Sequence, residues 1–457
     1  MLKMCKRLTA VFVSIAMLFT SISLESVAKT IPLQSSVSSD EMVIPSTTES
    51  EDSDVVIMGE LVEKREANIK HYRMSDGSIT AAVYPQEVHY QDENGQFVDI
   101  NNSLVDDTDG TDKVLATQEN EFQVKFMKKS NKNKLYTLNK GKEKITVSIE
   151  GVSKVKVKEK EPIELLTDDE RNYKLSNIGS AVLYEDIFEN VDIEYAVVSK
   201  RVKENIILKK AVDFNSIVYS YKIGNHLKVV GEDDKNIAIV DKENNKLVMQ
   251  ISAPIMWDDA GNYYDNLKFE VVEEKNNQVK IRLEWDIEDD MVYPVTIDPV
   301  LSFSTNRLEI QDTYIIKSTA TTNYNYKDHI KLRNDGYALL EFPTPDLSSG
   351  DKIVHAELIL APYMFLDDAT SEYSNVNSYN PPLHITTHKI LRVWDEKTVT
   401  YQNANADSGF FDSTVYSYRI LDNDNDFYTW DITRLANEWT EGGVANHGVL
   451  LNYRWYM

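Results

Sequence analysis

The sequence predicts an all-β protein, because apolar side chains recur at every second position and turn residues separate these runs. In EKITVSIEG (143–151), Ile145, Val147 and Ile149 alternate with charged and hydroxyl side chains, and NQVKIRLEWDIED (277–289) repeats the pattern. A period of two places the apolar set on one face of a sheet. Asn94–Gly95 and Gly261 fit the hairpin turns between such strands, since they tolerate positive φ angles.

The first 28 residues predict a secretory signal peptide. A basic start precedes an apolar run over 8–24, and small residues lead to a cleavage site after Ala28. An uncleaved anchor is the alternative, but the run is short for a bilayer span. Cys5, the only cysteine, lies in this segment, so the mature chain has no thiol. We expect a secreted, extracellular or wall-associated protein, without a membrane span in the mature chain.

The rest of the chain divides by composition into three parts. Residues 29–54 are rich in Ser, Thr, Asp and Glu, which predicts a disordered leader. Residues 55–305 predict a β-rich domain, for which the sequence indicates no activity. A second β-rich unit occupies 306–457 and contains one short helix in DITRLANEWTEGG (431–443). The predicted buried face of this helix consists of Ile432, Leu435, Ala436 and Trp439.

The second unit resembles DNRLRE domains, a family also classed as carbohydrate-binding module family 96. The matching segments, in the family's order, are DTYI (312–315), NYN (323–325), GYALLEF (336–342), AELIL (356–360), VWDEKTVTYQNA (393–404), DITRLANEW (431–439) and NHGVLLN (446–452). The resemblance spans residues 308–457. It implies a jelly-roll β-sandwich without catalytic residues, and some members bind polysaccharide.

Two positions depart from this family. Tyr337 stands where the family usually has a basic residue, which weakens any ligand contact that the resemblance implies at this position. The sequence also stops at NHGVLLNYRWYM (446–457), where the family continues through a further loop and a closing strand. We therefore expect a C-terminally truncated module that lacks its final strand.

Residues 60–305 resemble the region that precedes such modules in secreted wall-associated proteins, many of which continue into YD-repeat (Rhs-type) shells. The matching segments include VLYEDIFENVDIEYAV (182–197), VKENIIL (202–208) and YPVTIDPV (293–300). The resemblance implies that the chain is the N-terminal portion of a larger wall-associated protein.

Loop tyrosines are the candidate carbohydrate-binding residues. Tyr324, Tyr326, Tyr373 and Tyr379 lie in segments rich in Asn, Ser and Asp. Sugars stack their C–H faces on such rings while polar side chains bind the hydroxyls. The alternative is that these rings cover apolar surface. Residues 306–457 carry 12 basic and 21 acidic side chains, which favours a neutral glycan, although an acidic one stays open.

An acidic loop is the candidate metal site. Asp422, Asp424 and Asp426 alternate with asparagines in LDNDNDFYTWD (421–431), and calcium prefers such oxygen ligands. The glycine and distal glutamate of an EF-hand loop are missing, so a solvated acidic loop is the alternative. No cofactor is expected to be required, and a structural Ca²⁺ is only a candidate ligand of this loop.

Two other motifs imitate catalytic or metal sites. Asp395 and Glu396 in RVWDEKTVTYQNA (392–404) are adjacent, whereas glycoside-cleaving acids come from separate elements, so we interpret them as a turn. His384 and His388 in HITTH have a zinc-like spacing, but on a strand their rings lie roughly 13 Å apart. We interpret both as surface or edge-strand histidines.

The net charge of −25 disfavours nucleic acid as a partner, because phosphate backbones bind basic faces. We therefore expect a non-enzymatic protein of the bacterial cell surface that binds a polysaccharide or wall glycan. The first alternative is a structural stalk or delivery segment of a YD-repeat toxin or adhesin that binds no sugar. A second alternative is a polysaccharide-degrading enzyme.

Overall fold

A computed structural model of the full chain describes eighteen stretches of it. They are residues 15–23, 55–131, 133–152, 155–160, 163–165, 175–231, 236–259, 263–264, 266–288, 290–302, 310–324, 330–347, 351–360, 365–367, 372–374, 383–421, 428–441 and 443–454. The chain divides into two compact units. Unit 1 comprises residues 1–85 and 308–457, and unit 2 comprises residues 86–307.

Unit 1 begins with four strands and a short 3₁₀ helix over Val62–Lys64. The strands are β1 (Ile15–Ser23), β2 (Ile57–Glu60), β3 (Ile69–Met74) and β4 (Ile79–Val83).

Unit 2 follows and consists of strands and turns in its described part. The strands are β5 (His89–Gln91), β6 (Phe97–Asp99), β7 (Asn101–Asp109), β8 (Asp112–Glu119), β9 (Gln123–Asn131), β10 (Lys134–Lys140), β11 (Glu143–Ile149), β12 (Val157–Glu159), β13 (Ile163–Leu165), β14 (Leu175–Phe188), β15 (Val191–Val198), β16 (Arg201–Leu208), β17 (Ser216–Lys222), β18 (Leu227–Gly231), β19 (Ile237–Asp241), β20 (Leu247–Trp257), β21 (Tyr263–Tyr264), β22 (Leu267–Lys275), β23 (Gln278–Trp285) and β24 (Val295–Ser302).

The chain then returns to unit 1. The remaining elements are β25 (Gln311–Ile316), β26 (Gly336–Glu341), β27 (Asp351–Leu360), β28 (Phe365–Asp367), β29 (Glu372–Ser374), β30 (Leu383–Lys389), β31 (Ser417–Leu421), β32 (Tyr428–Asp431), α1 (Thr433–Thr440) and β33 (Val449–Arg454).

Two sheets and the helix share the main core of unit 1. The six-stranded sheet has the order β2-β3-β4-β1-β27-β32, and the five-stranded sheet has the order β25-β26-β33-β30-β31. Leu358 and Trp430 from the first sheet, Leu451 from the second, and Leu435 and Trp439 from α1 pack in one apolar cluster. β33 is an interior strand with partners on both sides, β26 and β30.

Strand β1 lies within the predicted signal peptide. It pairs with β27 from Ile15 to Ser23 and with β4 from Met17 to Ser21. Cleavage after Ala28 stays a prediction. In a chain cleaved there, β4 and β27 would each lose the antiparallel partner that β1 provides.

Two large antiparallel sheets enclose the core of unit 2. One has eight strands in the order β22-β23-β17-β11-β10-β9-β8-β7, and the other follows the order β12-β14-β15-β16-β24-β20-β19-β18, with β13 and β21 attached. Inward-facing side chains of both sheets form one cluster, which includes Phe126, Val147, Ile206, Leu283 and Trp285. A small sheet of β5 and β6 precedes them in the chain.

The prediction of an all-β fold with one short helix is confirmed for the described residues. The inward set of β11 is buried, and so is that of β23, except that the predicted Ile287 lies beyond the strand end and is exposed. The predicted turn at Asn94–Gly95 joins β5 to β6, with Gly95 at a φ of +77°. Gly261 lies outside the described residues. No helix in the described part of the chain has the length and apolarity to cross a bilayer.

The helix matches its predicted face. Leu435, Ala436 and Trp439 are buried, as is Ile432 just before the first turn. The Oδ1 atom of Asp431 accepts a hydrogen bond from the backbone N–H of Thr433 at 2.9 Å. This bond satisfies one of the free amides at the start of the helix.

The division of the chain differs from the predicted one at one end. The predicted boundary at residue 305 lies close to the observed division at 307, but residues up to Pro85 belong to unit 1. The reason is packing: Ile69, Ala81 and Val83 belong to the same apolar cluster as the core strands of residues 308–457. Strand periodicity reports which face is buried and carries no information about which distant strand covers it.

A polar seam joins the two sheets of unit 2 at the tip of the β15–β16 hairpin. The backbone N–H of Ser199 donates to the carbonyl of Ile178, and its hydroxyl donates to the carbonyl of Glu87 at 2.7 Å. The side-chain amide of Asn102, on β7, donates to the carbonyls of both Ser199 and Ile178 at 3.0 and 2.8 Å. The amide of Asn120 donates to the Ser199 carbonyl at 2.7 Å. Buried backbone groups at this tip therefore have partners from the opposite sheet.

Replacing Asn102 should destabilise unit 2. Asn102→Ala removes both donors to buried carbonyls, and we expect the free energy of unfolding to fall by about 2–3 kcal/mol. Urea unfolding of the full chain, followed by tryptophan fluorescence, measures the change. Asn266→Ala removes an exposed amide and is the matched control, with an expected change close to zero. Equal effects of the two substitutions would contradict a role for the seam.

A second polar feature anchors the β7–β8 hairpin to the outer face of the eight-stranded sheet. The carboxylate of Asp109 accepts hydrogen bonds from Lys134 at 2.5 Å, Lys144 at 2.7 Å and Thr137 at 3.1 Å. Burial opposes ionisation, but these three donors lower the pKa of Asp109 well below its usual value of 3.8.

The Asp109 contacts predict a pH-dependent contribution to stability. Because the folded-state pKa is lowered, the contribution is present above the usual pKa and is lost as the pH falls towards the folded-state value. At pH 7, Asp109→Asn should cost about 1–2 kcal/mol, with Lys144 half exposed and partly screened. The difference from the wild type should shrink at pH 3, as measured by urea unfolding. Asp106→Asn, which removes an exposed ion pair with Lys128, should change little at either pH.

Candidate functional site

Tyr324 is the one predicted ligand tyrosine whose side chain the structure describes. It is half-buried, and its ring stacks on that of buried Tyr314, with centroids 4.4 Å apart and planes at 19°. Its hydroxyl lies 2.6 Å from the Thr319 hydroxyl. One face of the Tyr324 ring therefore packs within unit 1. This contact is of the kind expected if the ring covers apolar surface.

The other predicted site residues lie where the structure describes little. Tyr373 is in β29, and its side chain is not described; Tyr326 and Tyr379 lie outside the described residues, as do Asp422, Asp424 and Asp426. The assignment of these tyrosines and aspartates to a ligand or to Ca²⁺ stays a prediction.

Asp395 and Glu396 form a turn. The Oδ1 atom of Asp395 accepts the backbone N–H of Lys397 at 2.9 Å, and its carbonyl accepts that of Val399 at 2.8 Å. The backbone N–H of Glu396 donates to the side chain of Gln311 at 3.1 Å. The adjacent Trp394 is buried. This geometry uses Asp395 to close the turn, as the structural interpretation predicted.

His384 and His388 both lie on β30. His388 is fully buried, with Nε2 at 3.0 Å from the Thr386 hydroxyl and Nδ1 at 3.0 Å from the carbonyl of Asp412. Both ring nitrogens of His388 therefore have neighbours in the protein. The interpretation as a surface or edge-strand histidine is therefore wrong for His388, which is buried on an interior strand with partners on both sides.

A cluster on the outer face of the five-stranded sheet was missed by sequence reasoning. The segment 391–411 covers this face and packs Trp394, Tyr401 and Phe410 against it. The ammonium group of Lys317 lies 2.9 Å from Asp407 Oδ1 and 5.7 Å from the centroid of the Tyr401 ring.

In this cluster, one hydrogen bond joins the stacked pair of tyrosine rings to the ion pair of Lys317 and Asp407. The Tyr401 hydroxyl donates to Asp407 at 2.7 Å, and the Tyr401 and Tyr337 rings are parallel within 10°, with centroids 6.1 Å apart. Lys317 and Asp407 are 90 residues apart, so no local pattern connects them. The one available signal was Tyr337, at a position where the resemblance to DNRLRE domains predicts a basic residue.

The electrostatics of this cluster favour binding or anchoring over proton transfer. The hydrogen bond from Lys317 lowers the pKa of Asp407, and the same bond raises the pKa of Lys317. Burial raises the pKa of Tyr401. At pH 7 the carboxylate and the ammonium are therefore charged and the phenol is protonated. None of these three groups is poised near neutral pH, where general acid–base catalysis works best.

The turn at Asp395 can be tested by two substitutions at one position. Asp395→Asn keeps an acceptor for the Lys397 N–H and should leave thermal stability close to that of the wild type. Asp395→Ala removes the acceptor and should cost about 0.5–1 kcal/mol. Differential scanning calorimetry at pH 7 measures both. A larger loss for Asn than for Ala would contradict the turn role.

The sequence of this chain is similar to parts of several proteins that are named as nucleases. No protein-family model matches the sequence. The tRNA3(Ser)-specific nuclease WapA of Bacillus spizizenii is 24% identical over 481 residues, which cover 98% of this chain and 19% of the relative. The tRNA nuclease WapA of Bacillus subtilis strain 168 is 24% identical over 419 residues, 86% of this chain and 16% of the relative. The tRNA(Glu)-specific nuclease WapA of Bacillus subtilis subsp. natto is 24% identical over 417 residues, with the same coverage. The chain thus spans about one fifth of the length of the relatives it matches.

These relatives correct three predictions. A non-catalytic carbohydrate-binding function is wrong, because the relatives are nucleases. The expectation that the protein is not an enzyme is wrong for the same reason. The exclusion of nucleic acid as a partner is also wrong, since the relatives are named for activity on tRNA.

The charge-based exclusion failed because it averaged over the chain. Residues 113–160 carry 13 lysines and 5 acidic side chains inside a protein with a net charge of −25. A net charge also describes only the residues counted, and these residues span about one fifth of the relatives. It therefore gives no reliable account of the partners of a longer protein.

Proposed function

We propose that this chain is the delivery segment of a secreted, wall-associated tRNA nuclease toxin of the WapA kind. In this proposal, nuclease activity and the tRNA substrate belong to the whole protein. The chain supplies the β-sheet units that carry the nuclease outside the producing cell and present it there.

The observation that carries the proposal is the extent of the match. The similarity to the Bacillus spizizenii nuclease covers 98% of this chain and therefore runs through both units. A widespread binding module attached to an unrelated protein would be expected to match over one unit alone. The match over both units supports a shared role for them in one kind of nuclease.

The physical properties of the chain suit a segment that works outside the cell. The N-terminus has the basic and apolar pattern of a signal peptide, and the chain after Cys5 is free of cysteine. Stability without disulfides then depends on large sheet cores and on polar contacts such as the seam at Ser199. Within this role we also propose that residues 308–457 are a DNRLRE-type domain, and that residues 60–305 correspond to the region before YD repeats.

A domain exchange in a relative tests the proposal. In the Bacillus subtilis strain 168 nuclease, the matching region is deleted in one strain and replaced by this chain in another. Deletion should abolish inhibition of co-cultured sensitive cells, while the purified deletion protein still cleaves tRNA in vitro. The exchange should restore at least part of the inhibition.

Controls separate delivery from catalysis. The exchange with the Asn266→Ala variant should behave like the unmodified exchange, and immunoblots of the wall fraction report export. Cleavage of tRNA by this chain alone would place a nuclease centre in these residues and overturn the delivery role. Full inhibition by the deletion strain would overturn it as well.

A further inference from the structure

We propose that Glu204 and the tyrosines around it form a proton-sensitive latch in the core of unit 2, closed while the carboxyl group is protonated and loosened when it ionises. This property goes beyond delivery and holds whether or not the chain serves a nuclease.

Glu204 occupies a core position of β16. Val202, Glu204, Ile206 and Leu208 alternate along the strand and face inward, and Glu204 is 1% exposed. The sequence VKENIIL thus places one carboxyl group in an otherwise apolar row. Ionisable groups are rarely buried in this way unless they are paired.

The carboxyl group connects the two sheets of unit 2. Its Oε1 atom accepts a hydrogen bond from the hydroxyl of Tyr219, which lies on β17 in the facing sheet. Tyr195 on β15 is the direct cross-strand neighbour of Glu204. A change in the charge of this carboxyl group therefore acts at the contact between the sheets.

The groups that face Glu204 are phenols and one further acid. Tyr195 and Tyr219 are its nearest ionisable neighbours, and Tyr136 on β10 and Tyr221 on β17 lie in the same buried cluster. Asp298 on the adjacent β24 adds negative charge, and Lys203 is paired with that aspartate at 2.9 Å. Among the described residues, no cationic side chain lies close enough to stabilise a negative charge on Glu204.

The cluster also contains an unsatisfied hydroxyl group. The hydroxyl of Tyr136 is buried and makes no hydrogen bond within the described residues, whereas the hydroxyl of Tyr195 interacts with the carboxyl group of Glu204. The rings of Tyr136 and Tyr195 lie 4.9 Å apart, and Tyr184 contacts Tyr195 edge-on at 6.2 Å. Close packing holds these rings in place around the carboxyl group. The phenols therefore have little freedom to reorient and stabilise a negative charge on Glu204.

Burial raises the pKa of Glu204 to about 7, above its usual 4.5, and Asp298 adds to the rise, although the hydrogen bond from Tyr219 opposes it. The folded state thus keeps a proton that the unfolded chain releases near pH 4.5. The stabilising contribution is fully present below pH 4.5 and is lost as the pH rises towards 7. Above pH 7 the core of unit 2 contains a negative charge, and no cation among the described residues is paired with it.

Hydrogen exchange of the full chain measures the latch. Between pH 5 and pH 8, after correction for intrinsic exchange, the opening equilibrium of amides in β15–β17 should rise on the order of a hundredfold. Glu204→Gln keeps the side-chain size and cannot ionise, so this rise should be absent. Glu270→Gln, which removes a surface partner of Arg282, is the matched control and should keep the rise.

Two results would overturn the latch. One is a rise that persists in Glu204→Gln, because a group other than Glu204 would then be responsible. The other is the absence of any rise in the wild type. Should Glu204→Gln fail to fold, carbon-13 NMR of glutamate-labelled wild type decides. One glutamate carboxyl that titrates near pH 7 supports the latch, and titration of every glutamate below pH 6 overturns it.

Discussion

Three polar contacts cross the apolar core of unit 2, and they constrain how its two sheets face each other. One is the seam at Ser199. Another runs from the Tyr184 hydroxyl on β14 to the carbonyls of Met127 and Leu135, at 3.0 and 3.2 Å. The third is the bond between Tyr219 and Glu204. Apolar side chains tolerate small shifts of one sheet over the other, but a buried polar group that loses its partner is costly. These contacts therefore select one relative position of the sheets from the several that the apolar core alone would allow.

Local features of the fold could be predicted from the sequence, because their signals are local. The alternation in β11 and β23, the turn at Gly95 and the apolar face of α1 each depend on residues within a few positions of one another. The grouping of β2–β4 with the strands after residue 307 could not be predicted. It depends on a core shared by segments more than 250 residues apart, and every apolar strand face presents much the same surface to a partner.

The candidate site was harder to predict, and for a related reason. The cluster of Lys317, Tyr401 and Asp407 depends on two charges that meet only in the folded chain. The adjacent acids Asp395 and Glu396 resemble a catalytic pair in the sequence, yet in the structure they form a turn. The proposed nuclease role of the longer protein rests on similarity over 98% of this chain to a nuclease of which it covers 19%. No residue of the chain indicates that role, because a β-sandwich supports many unrelated functions and identifies none of them.

The core of unit 2 contains one carboxyl group among its apolar side chains, and this group carries the proposed response to protons. The main core of unit 1 includes Leu358, Trp430 and Leu451, together with the phenol of Tyr428. Unit 2 places Glu204 where valine or leucine would satisfy the pattern of β16. Replacing a buried polar contact with well-packed apolar groups often stabilises a protein. The two sheets of unit 2 therefore do not need the carboxyl group of Glu204 in order to be stable. Its effect is to make the contact between the sheets of unit 2 depend on pH.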